Sequence, residues 1–492
     1  MTSQAPRYPD LLRRLEQARS SGVALGLERT RAVLRGLGDP QLKMVTVHIA
    51  GTNGKGSTAA MTESILRAAG LRTGLYTSPH LSRFTERIKI DGQEVEGDRL
   101  AALLPRIDAI GVPLTYFELA TVLGFLVFAE LGVEVMVAET GLGGRLDATT
   151  TCQPVATAIT SIAMDHAELL GNTLTEIARE KAGIAKPGVP LFLGPLAAEA
   201  DGAIARVAEK ISAPLRRLGT DFELPVASAS VSSVAAVAAL AALAALDCPV
   251  ALAGAHQRSN AALAVALAKV AAGATGRTLS DDHLCQGLRA VVWPGRLEWI
   301  GQGVTGGTRS ETPAEILLDC AHNLEGAIAL AAALDTMPHR RPRALLFSVV
   351  AGKPAGEMLN VLAPRFDAIF LTQSSNSRSL TAQQLLTLLP SLPPSLLPAA
   401  PLLPAAPLLP AAPLLVTRAV DDPLQALSMA RAYLAEQQQQ QQHPEAVPLV
   451  VGAGSTFLVG DLRAFLLCEA RDPLPTSDPV SVPVFNDLLN KS

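Results

Sequence analysis

The feature that most limits what this chain can fold into is a β-branched run, Val45-Thr-Val-His-Ile-Ala50, passing directly into Gly51-Thr-Asn-Gly-Lys-Gly-Ser57 and then a helical stretch, Thr58–Ala69. A strand, a glycine-rich turn and a helix start bring backbone N–H groups and the positive end of the helix dipole to one point, where Lys55 adds a full charge. That combination is a cradle for phosphate. Its spacing departs from the strict Gly-x-x-x-x-Gly-Lys-[Ser/Thr] pattern, because Gly56 stands between Lys55 and Ser57. The bland alternative is a tight turn with an incidental lysine.

Such a cradle belongs at the rim of a parallel sheet, and the surrounding sequence supplies one. Strands are expected at Val45–Ala50, Thr73–Thr77, Val133–Ala138, Val155–Thr160 and Val189–Leu193, alternating with helices at Thr58–Ala69, Phe117–Leu131 and Leu174–Ala182. This is the pattern of an α/β domain. Polar residues recur after these strands: Ser78 and His80, then Glu139 ahead of Gly141-Leu-Gly-Gly-Arg-Leu-Asp147, then Asp165 and His166. In an open parallel sheet those ends share one rim, where ligands bind. A hydroxyl, a carboxylate and one imidazole beside a phosphate suit Mg²⁺, which keeps several waters. Singly, Glu139 reads as a helix cap and His166 as a core histidine.

After Trp293-Pro294-Gly295-Arg296, which reads as a domain hinge, the alternation resumes: strands Glu315–Leu318, Ala344–Val349, Phe366–Leu371 and Val447–Val451, with a helix at Leu324–Leu334. Asp319 and His322, in Leu317-Leu-Asp-Cys-Ala-His-Asn323, read either as groups facing a nucleotide or, for Asp319, as the cap of the next helix. A Pro-Ala-Ala-Pro-Leu-Leu repeat within residues 390–415 lacks the amide hydrogens of a sheet or helix and is expected to be polyproline-like or disordered. The glutamine run Gln437–Gln442 reads as a solvated loop or helix end, and the alanine-rich stretch 222–255 gives no clear pattern. Forty-one Lys+Arg against 45 Asp+Glu leave no cationic field for nucleic acid or anionic lipid. Five scattered cysteines without a C-x-x-C pair argue for reduced thiols, and residues 1–22 carry charges with no apolar run behind them. A soluble, cytoplasmic monomer is expected.

Together the motifs resemble the folylpolyglutamate synthase/dihydrofolate synthase family, a branch of the Mur ligase superfamily. The resemblance rests on Gly26-Leu-Glu-Arg29, Gly51–Ser57, Thr77-Ser-Pro-His-Leu81, Thr85-Glu-Arg87, Thr115-Tyr-Phe-Glu118, Glu139–Ala148, Asp165-His166, Arg179-Glu-Lys-Ala-Gly183, His256-Gln257, Asn260, Pro294-Gly-Arg296 and Asp319–Asn323. It implies an α/β protein with a P-loop-type parallel-sheet ATP-binding domain, residues 1–292, and a smaller C-terminal Rossmann-like α/β domain, residues 293–492. The implied partners are ATP with Mg²⁺, L-glutamate, and dihydropteroate or a reduced folate.

The resemblance also implies roles. Thr52, Asn53, Gly54, Lys55, Gly56 and Ser57, with Asn260, Arg296 and Asp319, align with ATP contacts; Ser78, Glu139 and His166 align with Mg²⁺ ligands. Lys55, Lys181 and His322 are the expected catalytic residues, Lys181 matching a lysine that is carbamylated in relatives. Val23, Ala24 and Leu25, then Thr115, Tyr116, Phe117 and Glu118, then Leu146, Asp147 and Ala148 align with a pteroate pocket. Tyr116 and Phe117 taken alone read as core residues. Gly352-Lys353-Pro354 replaces an Asp-Lys-Asp type segment of relatives. The activity the resemblance implies is that of an ATP-dependent ligase adding L-glutamate to dihydropteroate and to reduced folates through an acyl phosphate, a dihydrofolate synthase that is also a folylpolyglutamate synthase. A folylpolyglutamate synthase alone, a Mur-type peptide ligase and an ATP-binding switch are the alternatives, and Gly56 and Thr115–Glu118 weigh against the peptide ligase.

Overall fold

A computed structural model of the chain describes residues 5–20, 26–222, 248–301, 314–389, 415–440 and 447–473. Val23, Ala24 and Leu25, the proline-rich repeat through residue 414, and residues 223–247 of the alanine-rich stretch lie outside them. Two compact units form: Met1–Leu252, His256–Trp293 and Asp472–Ser492 make the first, Ala253–Ala255 and Pro294–Arg471 the second.

The first unit is built on an eight-stranded sheet. Its strands are β1 (Val45–Ala50), β2 (Thr73–Tyr76), β3 (Ile88–Ile90), β4 (Gln93–Glu94), β5 (Val135–Glu139), β6 (Pro154–Ile159), β7 (Leu191–Leu193) and β8 (Leu215–Arg217), in the order β4-β3-β2-β5-β1-β6-β7-β8. All neighbours from β2 to β8 run parallel, while β3 and β4 form an antiparallel edge. Strand β1 lies at the centre, Ile49 facing Glu139 of β5 and Ala158 of β6. Being covered on both faces, β1 and β5 are apolar almost throughout, as buried parallel strands are.

One face carries the Tyr116–Glu130 helix, whose Leu119, Phe125 and Phe128 join Tyr76 and Leu15 in a buried cluster. The other carries the Lys55–Ala68 helix, whose Met61, Ile65 and Leu66 pack with Leu263 and Leu267 of the His256–Ala274 helix. Each such side chain contributes about 1.5–3 kcal/mol by leaving water. Small residues let these helices approach closely. A Cβ on Gly287, in the Asp281–Ala290 helix, would lie 2.4 Å from Ile65 Cα, and Ser64 Oγ donates to the Gly287 carbonyl at 2.8 Å.

The second unit holds a six-stranded sheet: β9 (Glu298–Ile300), β10 (Glu315–Leu318), β11 (Arg343–Phe347), β12 (Ala368–Leu371), β13 (Val416–Ala419) and β14 (Leu449–Ala453), ordered β13-β12-β11-β14-β10-β9. Only β9 runs antiparallel to its neighbour. The Pro423–Gln440 helix carries the glutamine run as far as it is described, so Gln437 to Gln440 form a helix end.

Asp472 returns to the first unit. Its carboxylate accepts from the Phe84 amide at 2.7 Å and from the Tyr8 hydroxyl, and its own amide donates to the Ser82 carbonyl at 3.0 Å. Among the described residues no disulfide joins Cys152, Cys248, Cys285, Cys320 or Cys468, and the first, second and fourth of these are buried. Among the described residues no helix is long and apolar enough to cross a membrane.

Candidate functional site

Strand β1 delivers its last residue, Ala50, to Gly51, whose φ of +148° and crowded surroundings explain the glycine: a Cβ there would lie 2.0 Å from Thr160 Oγ1. The turn is stitched to the end of β6. The Thr52 amide donates to the Ser161 carbonyl at 2.8 Å, the Asn53 amide to Ser161 Oγ at 2.9 Å, and Thr160 Oγ1 donates to the Asn53 carbonyl at 2.6 Å. Gly54, left-handed at φ +86°, precedes the helix, which starts at Lys55 and not at Thr58. The lysine therefore stands on the first turn, where the unpaired amides of a helix accumulate.

Asn260 and Gln257 approach from the His256–Ala274 helix. Asn260 Oδ1 sits 2.5 Å from where a Gly54 Cβ would be, Asn260 Nδ2 donates to Gln257 Oε1 at 2.9 Å, and Gln257 Nε2 reaches Ser57 Oγ at 3.4 Å. Gly56 has its own reason to be glycine. An added Cβ would lie 2.8 Å from Cζ2 of Trp293, whose indole also has the Lys89 ammonium 5.5 Å from its centroid.

Two lysines and a carboxylate gather at this loop. Lys55 Nζ donates to the Thr52 carbonyl at 3.1 Å and lies 4.0 Å from Glu139 Oε1. Glu139, the last residue of β5 and not a residue beyond it, is 4% exposed, and its Oε2 accepts from the Ser78 amide at 3.2 Å. Lys181, in the Leu174–Ala182 helix, is buried and donates to the Gly51 carbonyl at 2.8 Å. Burial first, then the charge of Lys55, lowers its ammonium pKa to about 7, against the opposing pull of Asp165 and Asp147. His166 adopts a left-handed backbone, φ +51°, ahead of the Ala167–Leu170 helix, with Glu168 Oε1 3.9 Å from its Nδ1. Among the described residues no three His, Cys, Asp or Glu side chains form a metal cage.

The segments aligned with a pteroate pocket are organised largely by their own hydrogen bonds. Thr115 and Glu118 form a capping box, and the buried Glu118 carboxylate also accepts from Arg29, at 3.2 Å through Nε and 3.0 Å through the second guanidinium nitrogen. Tyr116 is 1% exposed, with the Arg87 guanidinium 5.2 Å from its ring centroid. Phe117 is half-buried and walls the next turn, since a Cβ on Gly141 would lie 2.5 Å from its ring. Asp147 is buried, and both its oxygens accept from its own turn: the amides of Gly141 and Leu142 at 2.8 and 3.0 Å, and that of Thr149 at 3.0 Å. Ala148 is buried and Leu146 half-buried.

In the second unit, Asp319 does not cap the following helix. Asn323 does, accepting from the Gly326 amide at 2.9 Å, whereas Asp319 lies four residues too early for that role. Asp319 instead accepts from the Leu297 and Ala321 amides, both at 2.9 Å, fixing the backbone beside Arg296. His322 Nδ1 donates to the Cys320 carbonyl at 2.9 Å. Gly352 has φ +88° and Lys353 is half-buried ahead of the Ala355–Leu362 helix.

Sequence reasoning missed Trp293 as a neighbour of the phosphate loop, Thr160 and Ser161 as its stitches, and Arg29 as the partner of Glu118. For Arg29 the signal existed: a basic residue in a matched motif is matched by the one buried acid of Thr115–Glu118.

Comparison with known proteins matches the Mur ligase middle domain over residues 49–268 and the Mur ligase glutamate ligase domain over residues 295–452. The dihydrofolate synthase/folylpolyglutamate synthase of Bacillus subtilis is 36% identical over 377 residues, 74% of this chain and 84% of that protein. Its Escherichia coli namesake is 33% identical over 374 residues, covering 76% and 83%. Among solved structures, E. coli FolC in complex with DHPP and ADP is similar with a TM-score of 0.75 at 29% identity, covering 95% of this chain and 99% of that one. The bifunctional folylpolyglutamate synthase/dihydrofolate synthase of Yersinia pestis, complexed with AMPPNP and Mn ion, has a TM-score of 0.70 at 29% identity, covering 95% and 100%.

Proposed function

The chain belongs to the folylpolyglutamate synthase/dihydrofolate synthase family of the Mur ligases, and from that premise we propose that it is an ATP-dependent ligase joining L-glutamate to dihydropteroate and to reduced folates. The observation that carries this reading is the convergence of Lys55, Glu139 and Lys181 on the Gly51–Ser57 turn. Relatives named for both activities, and a relative solved with DHPP and ADP, support the substrate class. The match to a glutamate ligase domain supports the amine.

A carboxylate is a poor electrophile, so the γ-phosphoryl group of ATP moves onto the pterin acid's carboxylate oxygen, releasing ADP. The glutamate amine then attacks the acyl carbon, and phosphate leaves as the amide forms. Residues 1–292 bind ATP and the pterin acid. In this reading Thr52 to Ser57 wrap the phosphates with backbone amides, Lys55 neutralises charge on the transferring group, and Asn260 borders the loop. Such electrostatic positioning supplies most of the catalysis in phosphoryl transfer. Arg296, Asp319 and His322, in residues 293–492, are assigned to nucleotide and phosphoryl contacts.

A divalent cation is part of this reading, supported by the Mn ion in the Yersinia pestis relative, and we assign it as Mg²⁺. The donors fit: a buried carboxylate, Glu139, held beside the phosphate loop by the Ser78 amide and Lys55, with the Ser78 hydroxyl and His166 as further ligands. Few protein ligands suit an ion that keeps its waters and phosphate oxygens. When bound it would offset charge on the β- and γ-phosphates. Lys181 is assigned as a carbamylated lysine, since a pKa near 7 leaves the neutral amine that CO₂ requires.

The test is a coupled ADP-release assay with ATP, glutamate and dihydropteroate, then with tetrahydrofolate in its place. Release is expected only when acid and amine are both present. Slow release indifferent to either would replace the ligase by an ATP-binding switch, and activity with tetrahydrofolate alone would leave only the polyglutamylating activity.

A further inference from the structure

Strand β1 carries one buried titratable residue that the reaction above does not use. His48 is fully buried, and its Nε2 lies 2.7 Å from Thr149 Oγ1. Thr149 Oγ1 in turn lies 2.5 Å from Asp147 Oδ1, and the Thr149 amide donates to the same oxygen at 3.0 Å. A hydroxyl has one hydrogen. With that hydrogen directed at the carboxylate, Thr149 can only accept from the imidazole, so His48 is the neutral Nε2–H tautomer. Its ring stays neutral at physiological pH because burial, and then Lys186, hold its pKa down at about 3. The chain of bonds ends at Asp147 Oδ2, which receives the Gly141 and Leu142 amides.

We propose that His48 is a positioning residue for the pterin-acid site: through Thr149 it orients the Asp147 carboxylate, which holds the 141–148 turn in register with the phosphate-loop strand. Three side chains, starting from His48 of β1, three residues before Gly51, link that strand to the turn that follows Glu139. The same turn lies against Phe117, because Gly141 sits where only a hydrogen fits beside that ring. Loss of the donor at position 48 leaves the Thr149 hydroxyl free to rotate, and the Asp147 carboxylate, still held by three amides, loses its one fixed side-chain donor. The turn then loosens at the amides of Gly141 and Leu142. The stitches of the phosphate loop come from Thr160 and Ser161, outside this chain of bonds, so the ATP contacts are expected to be spared. The effect on KM rests on the function proposed above; the effect on the turn does not.

The test compares His48→Ala, His48→Gln, Thr149→Val and the His48→Ala/Thr149→Val double variant in the full chain. Hydrogen exchange of the 140–149 segment is measured alongside KM for ATP and for whichever of dihydropteroate or tetrahydrofolate the wild type uses. His48→Ala and Thr149→Val are each expected to speed exchange at 141 and 142 and to raise the pterin-acid KM by about tenfold or more, the scale on which a displaced binding group is felt. The ATP KM is expected to stay within about threefold. The double variant is expected to be no worse than the worse single, since both break one chain. Gln at 48, which keeps a donor near the Nε2 position, should return both readouts most of the way to wild type. Wild-type exchange in both single variants would overturn the proposal, as would additive effects or equal rises in both KM values accompanied by a lower Tm. A wild type that glutamylates neither acid would refute the function, while exchange would still decide the relay.

Discussion

Lys181→Met puts the electrostatics of the phosphate loop to a quantitative test. In the folded chain the Lys181 ammonium has a pKa of about 7, against about 10.4 for an unfolded lysine. Between those values the unfolded chain holds the proton and the folded chain does not, so wild-type stability must rise as pH climbs from 7 to about 10. At about 1.4 kcal/mol per pH unit, the cost of the buried lysine at pH 7 is on the order of 5 kcal/mol. Methionine removes that cost but also the hydrogen bond to the Gly51 carbonyl, worth about 1–3 kcal/mol when its partner stays buried. The larger effect wins: the variant should be more stable at pH 7 by about 2–4 kcal/mol, and by pH 10 its advantage should vanish or reverse. Urea unfolding in CO₂-free buffer at pH 7, 8.5 and 10 reads this directly. Added bicarbonate should then raise the wild-type midpoint and leave the variant's unchanged, because CO₂ bound only by the folded amine stabilises by mass action. Equal midpoints for the two proteins at pH 7, with parallel pH profiles, would refute the depressed ammonium, and a bicarbonate effect on both would refute carbamylation at this lysine.

Lys55→Ala should lower kcat by about 10²–10³ in a folded protein, and, by removing a positive neighbour, raise the Lys181 pKa measured by the same pH series. Glu139→Ala should lose turnover, with partial recovery as Mg²⁺ is raised; full activity at low Mg²⁺ would remove Glu139 from the metal site. Gly56→Ala should destabilise by about 1–3 kcal/mol through overpacking on the Trp293 indole, whereas on a Trp293→Ala background the same change should stabilise by up to about 1 kcal/mol through helix propensity. Thermal unfolding of the four proteins checks that sign change.

The central strand was legible because β-branched and apolar residues dominate it: β1 matches the expected run residue for residue, as a strand buried on both faces is mostly apolar, with Thr46 and His48 the polar exceptions. The β3–β4 edge was not, because strands of three and two residues carry too little period; only the Asp91-Gly92 turn, both residues at positive φ, marked it. The phosphate loop was legible as a local motif. What surrounds it was not, because burial of Lys181, the stitches from Thr160 and Ser161, and the Trp293 face against Gly56 join residues more than a hundred positions apart. Asp319 illustrates the ambiguity of a polar residue before a helix: its neighbour Asn323, with the same capping chemistry, lies at the helix boundary itself.

The return of Asp472 to the first unit gives the order of synthesis a bearing on folding. Tyr8 and its carboxylate partner are separated by 464 residues, and Phe84 from the same partner by 388. At about 5–20 residues per second, a ribosome that has made Tyr8 needs on the order of half a minute to a minute and a half to supply Asp472. The first unit thus emerges early but waits for its last piece until the whole second unit has been threaded out. A nascent chain halted anywhere between residues 294 and 471 presents the Phe84 amide without its carboxylate.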